Sequence, residues 1–563
     1  MRSPAPEASA AGNPRVLLAV ASAAVALAAA DTYVVVLALT DMMAGVGIGI
    51  DALQRATPII SGFLLGYIAV LPLIGRLADL VPRGRILLAC LLVFIVGSGI
   101  TALATDLGVL VGGRVIQGIG GGGLVPATLA LVADLWPRER RGTPLGMVGA
   151  VQELGSVLGP LLGAAILAVS SWRAIFVANV VLGLLLAGAL VILGRRRGRG
   201  PAGRPGPVRP AARTALASGL ALAGLGLGWL ALAAPAALAS DVTLGLPFVP
   251  FGEASSRALT PIGLAAALSL VAAAALTAPA WVPVLRRADV PGALLLGGVL
   301  SCVVLTFAAS DPEREVVGPL GFTLLPVGVA LALLYVWRHR TAAEPLVPRG
   351  TVRGRTGWSL VVSLLVGVAL VAVIVDVPLM ARLTLTESQV EAALVLLKFL
   401  IAVPVGAFLG GWALRLAGDG LVAGIGLCLT TVGLLVMAQW ERGSLATITS
   451  AVVLAVVGLG VGLALAPVNA AALADAPADA HGTASALVVV SRMIGMVVGL
   501  ALLTAIGLHS YYGAVAELPD QTDGQALLGA ALVQVRTVFV GAATAAALGA
   551  LASFMGLGLR RGR

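Results

Sequence analysis

From Val16 to Leu557 the chain alternates long apolar runs with short breaks rich in arginine, glycine and proline. An α-helix needs about 20 consecutive apolar residues to cross a hydrocarbon core of about 30 Å. Runs of that length predict six N-terminal helices: Val16 to Leu39, Thr57 to Ala78, Ile86 to Ala104, Leu107 to Ala133, Thr143 to Val169 and Ala174 to Leu193. Six more follow Arg355: Trp358 to Leu379, Glu391 to Leu414, Leu421 to Gln439, Thr447 to Pro467, Ala484 to Leu508 and Leu532 to Leu557. Between the sets stand four candidates, Thr214 to Ala236, Leu259 to Val284, Gly292 to Ala309 and Leu320 to Trp337.

Hydrophobic residues fill 59% of the 563 positions and charged residues 11%, less than half the roughly 25% of a soluble domain. The fold class expected is therefore an all-α polytopic membrane protein. The first run is too long for a signal-peptide core and no small-residue cleavage site follows it, so it reads as the first span.

The net charge of +10 could suggest nucleic acid, but its distribution points to a membrane. With the N-terminus in the cytoplasm and sides alternating, 26 of the 36 basic residues fall inside, six outside and four within spans, as the positive-inside rule requires. This places the chain in the inner (cytoplasmic) membrane with both termini cytoplasmic. The inside clusters are Arg76 to Arg85, Arg138 to Arg141, Arg195 to Arg213, Arg338 to Arg355 and Arg560 to Arg563. Charge alone fits fourteen spans or sixteen.

Cys90, Cys302 and Cys428 stand singly in apolar runs, and His339, His481 and His509 lie far apart, so neither a disulfide framework nor a metal site is expected. No nucleotide-binding loop of the form G-x-x-x-x-G-K-[ST] is present, which disfavours ATP-driven transport. No cofactor, catalytic residue or nucleic-acid partner is expected.

Three motifs carry a family resemblance. The stretch Gly75-Arg76-Leu77-Ala78-Asp79-Leu80-Val81-Pro82-Arg83 resembles the loop signature of the major facilitator superfamily. There an aspartate at a helix end can pair with an arginine or with a neighbouring helix N-terminus and latch one conformation. Arg114-Val115-Ile116-Gln117-Gly118 opens a glycine run on the fourth span, and Gly155, Gly159, Pro160 and Gly163 on the fifth resemble the superfamily's antiporter motif. Glycine and proline there allow close helix contact and a pliable seam. Asp31-Thr32-Tyr33, with Trp172-Arg173 before Phe176 and Asn179, resembles the drug:proton antiporter branch with two extra central spans.

In that branch the extra pair corresponds to Asp289 onward, closing at Glu344-Pro345-Leu346, which leaves Thr214 to Val284 as an additional pair. Sixteen spans are therefore expected: two six-helix bundles plus extra central helices. The domain plan is a bundle over 1–194, a basic linker over 195–213, an inserted pair over 214–288, a central pair with its connection over 289–355, and a second bundle over 356–563. Further likeness, in Ala150-Val151-Gln152-Glu153, Val375-Asp376-Val377 and Val490-Ser491-Arg492, is to mycobacterial triacylglycerol and multidrug exporters that work with a periplasmic lipid-carrying lipoprotein. It implies lipid export, a lipoprotein carrier as partner, a protonatable carboxylate at Asp31, and a carboxylate and an arginine deeper in the two halves at Glu153 and Arg492.

Charges at membrane depth cost about 2.5 to 3.5 kcal/mol each on insertion scales and mark functional candidates. Asp31 and Glu153 suit proton coupling, with a satisfied structural role as the competing reading. Arg492 could pair with Glu153 across the halves in one state. Arg114 reads either as an anchor for backbone carbonyls or as part of a proton relay, Asp79 and Arg83 as a latch, and Lys398 as a snorkelling side chain. In the second half Arg415 stands where Asp79 stands, so the latch is expected to be asymmetric. Finally, Ala484 to Leu518 runs 35 residues without proline, roughly 52 Å of helix against a core of about 30 Å, so the last helix pair should project beyond the membrane.

The function expected is a proton-coupled secondary transporter exporting triacylglycerol-like lipids or other hydrophobic compounds by alternating access, with protons and membrane lipids as its partners. A multidrug efflux antiporter without a lipid role is the alternative. A non-transporting scaffold or receptor on the same frame would not need Asp31 and Glu153 inside the bilayer.

Overall fold

A computed structural model describes residues 13–48, 57–197, 211–235, 238, 246–251, 256–308, 321–386, 389–520 and 523–558. Within them sixteen α-helices form and no strand does. The first six are α1 (Pro14–Gly45), α2 (Thr57–Leu80), α3 (Arg83–Leu103), α4 (Leu107–Leu135), α5 (Gly142–Val169) and α6 (Trp172–Arg197). Four central helices follow, α7 (Ala211–Ala233), α8 (Pro261–Arg287), α9 (Val290–Ala308) and α10 (Gly321–Thr341). The last six are α11 (Gly354–Thr384), α12 (Gln389–Ala413), α13 (Asp419–Met437), α14 (Ile448–Ala474), α15 (His481–Ala516) and α16 (Gly524–Gly556). Fifteen are long and apolar enough to cross a membrane, and α9 carries a shorter apolar stretch, Val290–Thr306.

Local chemistry sets the ends. Asp106 caps α4 through the Val109 N–H at 2.9 Å, Thr260 caps α8 with Pro261 at its first position, and Asp523 caps α16. Several ends run past expectation, among them α1 to Gly45 rather than Leu39 and α11 to Thr384 rather than Leu379; two others have a physical reason. α14 continues through Pro467 to Ala474, as membrane helices can where neighbouring helices and local backbone adjustment re-satisfy the carbonyl that proline leaves free. Of the linker expected over 195–213, the first three residues extend α6 and the last three begin α7; a C-terminal arginine run complements the helix dipole. The linker's middle, 198–210, lies outside the described residues.

The two six-helix halves repeat one packing plan. In each, the fifth helix lies on the first and the second on the fourth, at glycines with no room for a methyl. Gly155 and Gly159 of α5 abut the backbone of Ala26 and Ala30, as Gly495 and Gly499 of α15 abut Leu364 and Val368. Gly118 of α4 meets Phe63, as Gly458 of α14 meets Phe399. Without a hydrophobic drive between helices in lipid, such close backbone approach is the main source of packing energy. The central helices lie outside this repeat: α7 and α8 pair with each other beside α3, and α9, paired with α10, rests on α2 and α15 where the halves meet.

Candidate functional site

Asp31 is buried on α1, and three side chains donate to its carboxylate. Arg114 Nη1 lies 2.6 Å from Oδ2, while Gln117 Nε2 and Asn179 Nδ2 lie 2.9 and 2.6 Å from Oδ1. Gln117 extends the network to Ser98 on α3, so one network links α1, α3, α4 and α6. The Arg114 guanidinium also stacks over Phe63 at 4.4 Å and reaches the Ile59 carbonyl at 3.3 Å. Arg114 is thus the ion partner of Asp31. It anchors a backbone carbonyl, as one of its two readings expects, and also binds a carboxylate. The sequence motifs contain Gln117 and Asn179 without indicating a role; the signal for one is an amide side chain inside an otherwise apolar helix.

Glu153 lies on α5, outside this network. It faces a cavity of about 230 Å³ between the halves, which Tyr67 and Arg114 border from the N-terminal half and Leu370, Arg492 and Met496 from the C-terminal half. Arg492 of α15 acts electrostatically on Glu153, but the two form no ion pair within 4.0 Å among the described residues. The cross-half ion pair expected from sequence is not formed here; Glu153 and Arg492 line one cavity from the two halves.

Gly155, Gly159 and Gly163 do not line this cavity; they hold α5 against α1, the last at the Val34 side chain, and Pro160 lies within α5. Asp376, missed as a candidate, is buried on α11 within an apolar stretch.

At the arginine-rich end the halves are joined. Asp79 at the end of α2 accepts from the Gly482 and Thr483 N–H groups at 2.6 and 2.9 Å and from the Thr483 hydroxyl at 2.7 Å, so it caps α15 of the other half. Arg83 is a secondary partner at 3.9 Å, because its guanidinium binds Asp134 and the Ala130 carbonyl. Gly75 and Gly482 let the backbones touch. The related contact in the repeat joins Arg415 Nε to Thr143 Oγ1 at the start of α5, at 3.1 Å, with Gly411 against Gly142 and Gly146. The latch is asymmetric in chemistry: an aspartate complements a helix N-terminus and an arginine does not. Arg138 and Asp475 add an ion pair at 3.7 Å at this end. At the opposite end, the apolar cluster around Met42, Leu110 and Phe176 is built from the N-terminal half alone.

Comparison with known proteins agrees with this geometry. The sequence profile of the Major Facilitator Superfamily matches residues 21–312. The chain is 35% identical over 505 residues to a triacylglyceride transporter of Mycobacteroides abscessus, covering 87% of this chain and 82% of the relative. It is 34% identical over 527 residues to one of Mycolicibacterium smegmatis, covering 92% and 80%. Among solved structures, the proton:xylose symporter XylE aligns at TM-score 0.53 and 13% identity, covering 96% of this chain and 94% of that one. The human organic anion transporter MFSD10 aligns at 0.55 and 14%, covering 96% and 99%. At these identities the two structures speak for the fold alone. Two packed halves of six helices, a cavity between them and these matches establish that the chain belongs to the Major Facilitator Superfamily of membrane transporters.

Proposed function

We propose that the protein is a proton-coupled exporter of triacylglycerol-like lipids. The observation that carries this reading is the cavity between the halves, where Glu153 faces Arg492 on walls otherwise dominated by apolar side chains. The two relatives named above as triacylglyceride transporters support the cargo.

In this reading the arginine-rich end is cytoplasmic, both termini lie there, and the membrane is the cell's inner membrane, because basic loops resist translocation. The form closed at the Asp79–Thr483 contact then receives its proton from the outer side. Glu153 takes up that proton while Arg492 stands out of pairing reach. Inward opening breaks the cap on α15, the proton leaves as Glu153 and Arg492 close on each other, and the lipid enters the vacated cavity. Asp31 and Arg114 hold the proton path of the N-terminal half in register, and the Gly155–Gly163 seam keeps α5 against α1 while the halves rock.

α15 spans 36 residues, roughly 54 Å at 1.5 Å per residue, and α16 spans 33. Their shared outer part projects beyond the bilayer, where it hands lipid to a periplasmic lipoprotein carrier. Lipids accumulating in membranes of cells that lack the protein test the cargo directly. Triacylglycerol should build up in them and clear when the intact gene is restored; accumulation of none, with increased drug sensitivity instead, would give the multidrug reading.

A further inference from the structure

A cleft of about 640 Å³ lies between α3–α4 and the inserted pair α7–α8, away from the central cavity. That is within the roughly 300–1,000 Å³ of small-molecule sites. Small residues open it: Gly99, Gly112 and Gly113 on one wall, Gly224, Gly228 and Ala266 on the other. A methyl added at Gly112 would meet nothing within 4 Å.

Two arginines lie beside residues of the lining. Arg257 sits between the lining residues Ser256 and Ala258, and its Nη1 donates to the carbonyl of Leu232, on the α7 wall, at 3.0 Å. Arg173 Nη2 donates to the Ala104 carbonyl at 2.9 Å, next to the lining residue Leu103, and to the Gly45 carbonyl at 3.3 Å. These acceptors are neutral. The two guanidiniums act on each other, and neither has an ion pair among the described residues. Asp106 also borders the cleft: its Oδ1 accepts from the Val109 N–H at the α4 N-terminus, where the helix dipole offsets its charge, while its buried Oδ2 has no partner among the described residues.

We propose that this cleft holds an anionic phospholipid of the surrounding bilayer, one acyl chain between Gly112 and Gly228 and the phosphate against Arg173 and Arg257. Its walls are mostly apolar, which disfavours water as an occupant. The flanking helices stand in lipid, so an acyl chain is the filler at hand. Leaving the bilayer gains the chain no transfer energy, so retention rests on fit and on the unneutralised guanidiniums, which favour phosphate. The lipid then joins the inserted pair to the N-terminal half, whatever the central cavity carries.

The test uses full-length protein purified in mild detergent from membranes supplied with labelled phosphatidylglycerol and phosphatidylethanolamine, with co-purifying lipid counted per protein by mass spectrometry. Wild type should retain phosphatidylglycerol in preference. Gly112→Leu, which fills open space, and Arg257→Gln should each lower that retention roughly tenfold, the scale of one charge-assisted contact. Arg257→Lys, which keeps the charge, should retain the preference and serves in place of Arg257→Gln if the latter does not fold. Equal retention of the two lipids, undiminished phosphatidylglycerol in well-folded Gly112→Leu, or displacement of the lipid by excess inorganic phosphate would each overturn the proposal.

Discussion

Glu153 and Arg492 are the twelfth residues of α5 and α15, the fifth helices of the two halves, so opposite charges occupy equivalent places in the repeat and face one cavity. A rocking motion of the halves changes the separation of two such positions directly, which makes them the natural place to couple charge to conformation. Asp31 stands differently, because its charge is already matched by Arg114 within one half.

Asp31→Asn should therefore destabilise the protein, since it leaves Arg114 buried without its counter-charge. Breaking a buried pair from one side costs about 3–5 kcal/mol. Thermal unfolding followed by thiol labelling of the buried Cys90 and Cys302 should show a lowered midpoint, largely restored in Asp31→Asn with Arg114→Gln. Equal stability of wild type and the single variant would contradict the ion-pair assignment.

Asp79→Ala removes the cap on α15. Loss of an N-cap costs about 0.5–2 kcal/mol, enough to shift a two-state balance severalfold. Spin labels at the exposed positions Arg85 and Asp479 should report one short distance in wild type and a second, longer population in the variant. An unchanged distance distribution would remove Asp79 from the closure of this end.

Gly159→Ala should impair the seam between α1 and α5, because its methyl would overlap the Ala30 backbone. Overpacking of this kind costs about 1–3 kcal/mol. Gly188→Ala, where nothing lies within 4 Å, is the control. A loss of stability and transport in the first variant only is expected; equal behaviour of the two would contradict a close seam at Gly159.

The sequence made the helices legible because each apolar run is long and each break is charged, and the basic residues gathered at one end of the bundle could be read from their spacing. It did not disclose that Asp31 meets Arg114, since the two are 83 residues apart and nothing in either motif states which face of α4 turns to α1. The position of α7–α8 beside α3 was likewise hidden, because lipid-facing helices of Ala, Leu and Gly carry no signal for a neighbour. The Asp79 contact was legible only as a choice between an arginine and a helix end; the backbone approach at Gly75 and Gly482 decides it for the helix end.

Joining Gly507 to Leu532 through a short Gly/Ser loop removes the outer part of α15 and α16. The variant should insert and fold while lipid export falls, measured as lipid transferred to an acceptor carrier. Undiminished export by the well-folded variant would make the extension a structural embellishment.

The most direct test of the central claim is lipid export from proteoliposomes driven by an imposed proton gradient, comparing wild type with Glu153→Gln, which keeps size and removes titration. Wild-type export should rise with the gradient and collapse with a protonophore, while Glu153→Gln should lose that dependence and export at least about tenfold more slowly, the effect of roughly 1.4 kcal/mol or more. Export by Glu153→Gln at the wild-type rate, with the gradient dependence unchanged, would contradict the account.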